Sequence, residues 1–285
     1  MNHSLTASSP VSKRLSPRKM AFITGTLLLT STGFICRILG FFYRIFMSRT
    51  IGAEGLGIYN MVHPIFSICF AVCAGSIQTA LSQYVAANQT RGRAVFRTGL
   101  VIAMGMSFLL AWVIYGNAGF LAEKLLLEPR CAPYLPVMAV SVPFAALHAC
   151  INGYYYGMQK ARVPAFSQVA EQVIRMGAVF LIASIWLESG RQITVSLAVY
   201  GHLIGEMASA VFTVFCLGFF PPCKDGDSRR APAIPLSFGA TAAPLMALAL
   251  PLMGNRLILN VLGSAEAIWI PNKLMSSGLT NSEAL

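Results

Sequence analysis

MAFITGTLLLTSTGFICRILGFFYRIF, residues Met20 to Phe46, decides the fold of this chain. The run can cross a bilayer, since about 20 residues at about 1.5 Å rise span the hydrocarbon core, yet it carries Arg37 and Arg44 inside the span. On a helix turning roughly 100° per residue, Thr26, Thr30, Gly33, Arg37, Gly40, Arg44 and Ser48 share one stripe. Leu28, Ile35, Leu39, Phe42 and Phe46 fall on the opposite side. A charged side chain facing hydrocarbon costs at least about 2.5 kcal/mol, so the cationic stripe is expected to face a bundle interior or a watery cavity.

The rest of the composition agrees with a bilayer. Of 285 residues, 56% are hydrophobic and only 11% charged, and the mean hydropathy is +0.66. Several apolar runs exceed what a soluble core helix needs, which predicts an all-α polytopic membrane protein. The first run is too long for the apolar core of a secretory signal and no small-residue cleavage pattern follows it, so it is expected to stay as the first span. The net charge of +11 does not point to nucleic acid, because the basic residues lie between apolar runs and not in one aromatic-rich patch. Cys36, Cys69, Cys73, Cys150 and Cys216 sit within apolar runs without metal-ligand spacing and read as small buried hydrophobes.

Seven spans are expected, at about residues 20–46, 58–86, 95–115, 134–157, 164–187, 195–220 and 238–262. Pro64 and the small residues from Ala71 to Ser76 predict a kinked, closely packed second span. Tyr154, Tyr155 and Tyr156 end the fourth at a predicted membrane interface. The expected division is a disordered cytoplasmic tail over 1–19, a six-helix lobe over 20–220, a cytoplasmic linker over 221–235 and the start of a second lobe over 236–285. With the N-terminus inside, the inner segments hold twelve basic residues and the outer segments five, so the positive-inside rule places the tail and linker in the cytoplasm.

The polar residues within the spans carry the functional reading. Arg37 lies about 17 residues into its span, too deep to snorkel easily, and reads either as a cavity cation or as the partner of an acid such as Glu206. Arg44, about 10 Å further along, extends the stripe or snorkels to the outer headgroups. Two guanidiniums on one face make a clamp for phosphate, since each presents a planar fork of donors that keeps its charge. Glu171 precedes Arg175 by four residues, the favourable order for an ion pair within one helix. His148 and His202 read as core or hydrogen-bonding histidines. No nucleophile triad, phosphate loop or metal-ligand pattern occurs, so neither an enzyme nor a bound cofactor or metal is expected.

Four segments, RILGFFYRIFMSRTIGAEGLGIYNM, AGSIQTALSQYVAANQTRG, PFAALHACINGYYYGMQKARVPAFSQVAEQVIRMG and IWIPNKLMSSGLTNSEAL, occur in that order. Together they resemble the stage V sporulation protein B-like branch of the polysaccharide biosynthesis and export proteins. That branch is related to the lipid II flippases and, more distantly, to the multidrug and toxin extrusion transporters. The resemblance implies two helical lobes of about fourteen spans facing a central cavity in the bacterial cell membrane, with alternating access moving an undecaprenyl-pyrophosphate-linked glycan. It also implies that Arg37, Arg44, Glu171 and Arg175 line the cavity, with Glu206 a further candidate. Relatives often carry proline where Gln78 stands and a basic residue where Asn152 stands, which weakens lipid II itself as the expected substrate. The chain stops about one span into the second lobe, so it is expected to be a half-length product or fragment that a second chain would have to complete. A cation-coupled drug exporter is less favoured, because no Asp lies in any span; a non-transporting scaffold for cell-wall assembly is the remaining alternative.

Overall fold

A computed structural model describes residues 17–222 and 238–276. Most of the tail, nearly all of the linker and the last nine residues, expected above as tail, cytoplasmic linker and outer end, lie outside that range. The described chain forms α1 (Pro17–Phe70), a π-helical turn (Ala71–Gly75), α2 (Ser76–Ala87), α3 (Gly92–Gly116), α4 (Leu135–Gly157), α5 (Arg162–Glu188), α6 (Ser196–Phe219) and α7 (Phe238–Ser276). Among the described residues six stretches are long and apolar enough to cross a membrane, and the chain is an all-α polytopic membrane protein.

The first of those stretches, Ile23–Ala87, has 65 residues, about 98 Å of helix against a hydrocarbon core of about 30 Å. Gly52 divides it, with φ 76° and ψ 173°, a conformation closed to residues bearing a Cβ. The halves then fold back on each other. Tyr43 and Tyr59 would stand about 24 Å apart on a straight helix, yet both pack on the cluster of Met47, Val179, Ala183, Leu197 and Ala198. Two passes therefore come from one apparent helix, which restores the seven expected from the sequence. Pro64 does not interrupt the second pass; its irregularity is the π turn, whose small residues are nearly all buried.

Neighbouring contacts show how the passes run. Gly25 lies against Ala161, and the rings of Phe46 and Phe180 are 4.2 Å apart, so the first half of α1 runs parallel to α5. Phe96 stacks on Tyr154 at 4.9 Å while the Cys150 thiol faces the Gly99 carbonyl, so α3 and α4 are antiparallel. α2 and α4 run parallel and touch backbone to backbone, because Gly153 and Gly157 present no Cβ. A Cβ on Gly153 would stand 2.7 Å from the Gln78 carbonyl oxygen, and one on Gly157 2.6 Å from Val85 Cβ. Of the tyrosines between them, Tyr154 and Tyr155 are buried and Tyr156 is half-buried, and the Tyr155 hydroxyl donates to the Phe220 carbonyl at 2.9 Å. Their value here is in packing and capping the end of α6.

At one end of the bundle the turn after Gly52 is tied to the loop preceding α4. Arg130 donates from Nε and Nη2 to the two oxygens of Glu128, at 2.9 and 3.1 Å, and from Nη1 to Glu54. Those carboxylates, Glu128 first, raise the guanidinium's pKa above its usual value. The six described cysteines are free, and all but Cys36 are buried.

Candidate functional site: a polar cavity midway along the helices

The second half of α1 and helices α2, α4, α5, α6 and α7 line a partly open cavity of about 570 Å³. Each contributes polar side chains, from helices long and apolar enough to cross a bilayer or continuous with one that is. Such groups must partner one another or face a hydrated space.

One wall is a network of paired charges. Glu171 and Arg175, a turn apart on α5, are bonded through Oε1 and Nη2 as the spacing predicts. Glu206, 5% exposed on α6, accepts from His148 Nε2 on α4 at 2.8 Å. It also lies 3.6 Å from Arg175 Nη2 and 3.9 Å from His202 Nε2. The approach of α5 to α6 depends on a missing side chain, since a Cβ at Gly205 would meet Arg175 Nε at 2.7 Å. Ser167 and Ser209 join the same two helices at 2.8 Å further along. Below the network the His202 ring meets Phe66 edge-to-face at 4.3 Å and His63 at 5.6 Å.

The facing wall carries a different cation. Arg256 of α7 donates from Nη2 to Thr79 Oγ1 at 3.0 Å, and its guanidinium lies over Gly75 at the end of the π turn. A Cβ there would stand 2.2 Å from Nη1, so the glycine opens the groove that admits the arginine. Asn260 donates to the Arg256 carbonyl at 2.8 Å and also lines the cavity. Among the described ion pairs none includes Arg256.

Three of the five residues singled out from the sequence, Glu171, Arg175 and Glu206, are thus brought together. Arg37 and Arg44 are not in this cavity. Their whole stripe lies open, with Thr26, Thr30, Arg37, Arg44 and Ser48 exposed and Gly33 and Gly40 half-buried, while Thr32 and Met47 face the bundle. Arg44 stands within electrostatic range of Tyr59 and His63 at the cavity's edge. The partner of Glu206 is His148, with Arg175 beside it, and not Arg37. Sequence reasoning passed over His148, His202 and Arg256 as site residues. The spacing of His202 and Glu206, four apart on one helix, signalled a shared face; nothing local linked His148 or Arg256 to them.

The site sits in a recognisable lineage. The profile of the family described as "Polysaccharide biosynthesis protein" matches residues 22–277. Stage V sporulation protein B of Bacillus subtilis (strain 168) is 29% identical over 272 residues, covering 93% of this chain and 52% of that protein. Lipid II flippase MurJ of the same organism is 23% identical over 206 residues, covering 66% and 38%. Sporulation protein YkvU, also from that organism, is 18% identical over 93% of this chain and 58% of its own length. The chain spans about half the length of the curated relatives it matches. It belongs to the polysaccharide biosynthesis protein family.

Proposed function

We propose, with membership of that family as the premise, that this chain forms the first lobe and the opening helix of the second lobe of a transporter. It would carry a lipid-linked, diphosphate-bearing glycan across the bacterial cell membrane. The observation that carries the reading is Arg256. A guanidinium in a cavity at mid-helix depth, with a hydroxyl as its hydrogen-bond partner and no carboxylate among the described ion pairs, offers most of its donors to an anion. Gln78 and Asn152 line the same space and can hydrogen-bond sugar or phosphate oxygens.

Arg37 and Arg44 belong to the same proposal. Their exposed stripe is costly against lipid, and a second lobe or a partner chain facing it would turn it into the other wall of a cationic passage. Glu171, Arg175 and Glu206 complete the proposed substrate-binding set on the opposite side. A transporter of this kind works by rocking two lobes about a fixed site, without chemistry on the substrate.

Binding tests the substrate class directly. The purified chain in nanodiscs is expected to bind undecaprenyl diphosphate about tenfold or more tightly than uncharged undecaprenol. Arg256→Ala should remove most of that preference. Equal binding of the two lipids would overturn the diphosphate reading. The orientation, with the linker in the cytoplasm, is tested by impermeant thiol labelling of Cys223 in a background without other cysteines; modification from outside intact cells would reverse it.

A further inference from the structure

Four ionisable side chains from three helices meet in the paired wall: His148, Glu171, Arg175 and Glu206. With His148 neutral, two carboxylates face one guanidinium, and the cluster holds one uncompensated negative charge in the bundle interior. Other titratable or charged groups face it from every neighbouring helix. α1 brings Cys36, Tyr43, Tyr59, His63 and Arg44, α6 brings His202, and α7 brings Arg256. Neither Arg44 nor Arg256 is in ion-pair contact with Glu206, and Arg256 is engaged with Thr79 on the far wall.

One atom is placed to cancel the charge. His148 Nε2 faces Glu206, whose ionised carboxylate only accepts, so with Glu206 ionised this nitrogen carries a hydrogen and donates it. In the neutral ring Nδ1 is then a bare acceptor. That Nδ1 is buried, makes no hydrogen bond to the described protein, and belongs to a side chain lining the polar cavity.

We infer that His148 and Glu206 form a proton-binding site that is loaded and emptied once per transport cycle. A hydronium in the cavity gives its proton to Nδ1 and leaves as water; the imidazolium then closes an ion pair with Glu206 and the cluster becomes neutral. Emptying is the reverse, and it restores the negative charge on one side of the membrane only. The coupling role rests on the transporter reading above, but the proton site itself is a property of these side chains. A small metal cation is the competing occupant, because donor atoms of His148, Glu171 and Glu206 lie within 4.8 Å of one another. Arg175, bonded to Glu171 and 3.6 Å from Glu206, already occupies the cation's place between those carboxylates. The geometry therefore favours a proton.

The test is histidine-selective nitrogen NMR on the whole chain in nanodiscs, from about pH 5 to 8. His148→Gln identifies the resonances, since Gln can keep the hydrogen bond to Glu206 without titrating. In the wild type the His148 signals should pass from the Nε2–H tautomer to the imidazolium, and sodium should leave them unchanged. In Glu206→Gln the imidazolium signal should be lost at neutral pH with helicity retained. Should that variant fail to fold, His148→Gln must lower the number of protons taken up on acidification by one. A His148 that keeps one protonation state across the range, or that responds to sodium rather than pH, overturns the inference while leaving diphosphate binding untouched. Normal titration with no diphosphate preference refutes the substrate reading and supports the proton site.

Discussion

The two walls of the cavity use the same residue type in opposite ways. Arg175 is enclosed by Glu171 and Glu206 and bound against Gly205, whereas Arg256 reaches across from α7 to a hydroxyl and has no carboxylate among the described ion pairs. A paired buried charge is structural first, because each partner satisfies the other's loss of water. An unpaired one in a polar cavity retains its capacity for an incoming ligand. Arg37 and Arg44 lie exposed on the open stripe of α1, outside the cavity.

Substitutions should separate the classes. The largest effect on the fold is expected for Glu206→Ala, which leaves His148 Nε2 without its acceptor and takes from Arg175 one of its two carboxylates, and should cost about 1 to 3 kcal/mol, read as a lower unfolding midpoint in detergent. Arg256→Ala should leave that midpoint nearly unchanged and cost about 1.5 to 3 kcal/mol of diphosphate-lipid affinity. If Arg256→Ala lowered the midpoint as Glu206→Ala does, the distinction between the walls would collapse. Gly75→Ala keeps every charge but pushes the guanidinium off the π turn, so it should weaken anion binding by less than the loss of Arg256 itself.

The open stripe gives the finest test. In a two-lobed relative, Arg37→Ala should abolish translocation and Arg37→Lys should weaken it, because an ammonium keeps the charge and loses the fork. Arg44→Ala should do less if its side chain serves the headgroups. A well-expressed Arg37→Ala protein that translocates at the wild-type rate would remove the stripe from the passage.

Much of this was legible along the chain. Apolar runs of bilayer length fix the class and the number of passes, because the bilayer allows few structures other than helices and sets their length. The Glu171 and Arg175 pair was legible for the same reason, since four residues on a helix is a contact in any context. The expected span limits at 46 and 58 bracketed the break at Gly52, though not its positive φ, and the small residues from Ala71 to Ser76 marked the π turn, while the helix runs on through Pro64 as helices held by their neighbours can. Tyr154 and Tyr155 have the composition of an interfacial belt; only the contact of α4 with α2 and α3 turned them inward.

By itself the sequence determined an all-α membrane chain with cations inside its spans, because hydropathy, helical periodicity and charge are local quantities. Tertiary structure alone decided which polar groups far apart in the chain are partners. His148 and Glu206 are separated by 58 residues, and Arg256 and Thr79 by 177. Their meeting depends on glycines that let α2, α4, α5, α6 and α7 approach within a side chain's reach, a property of surfaces in contact that no single segment contains.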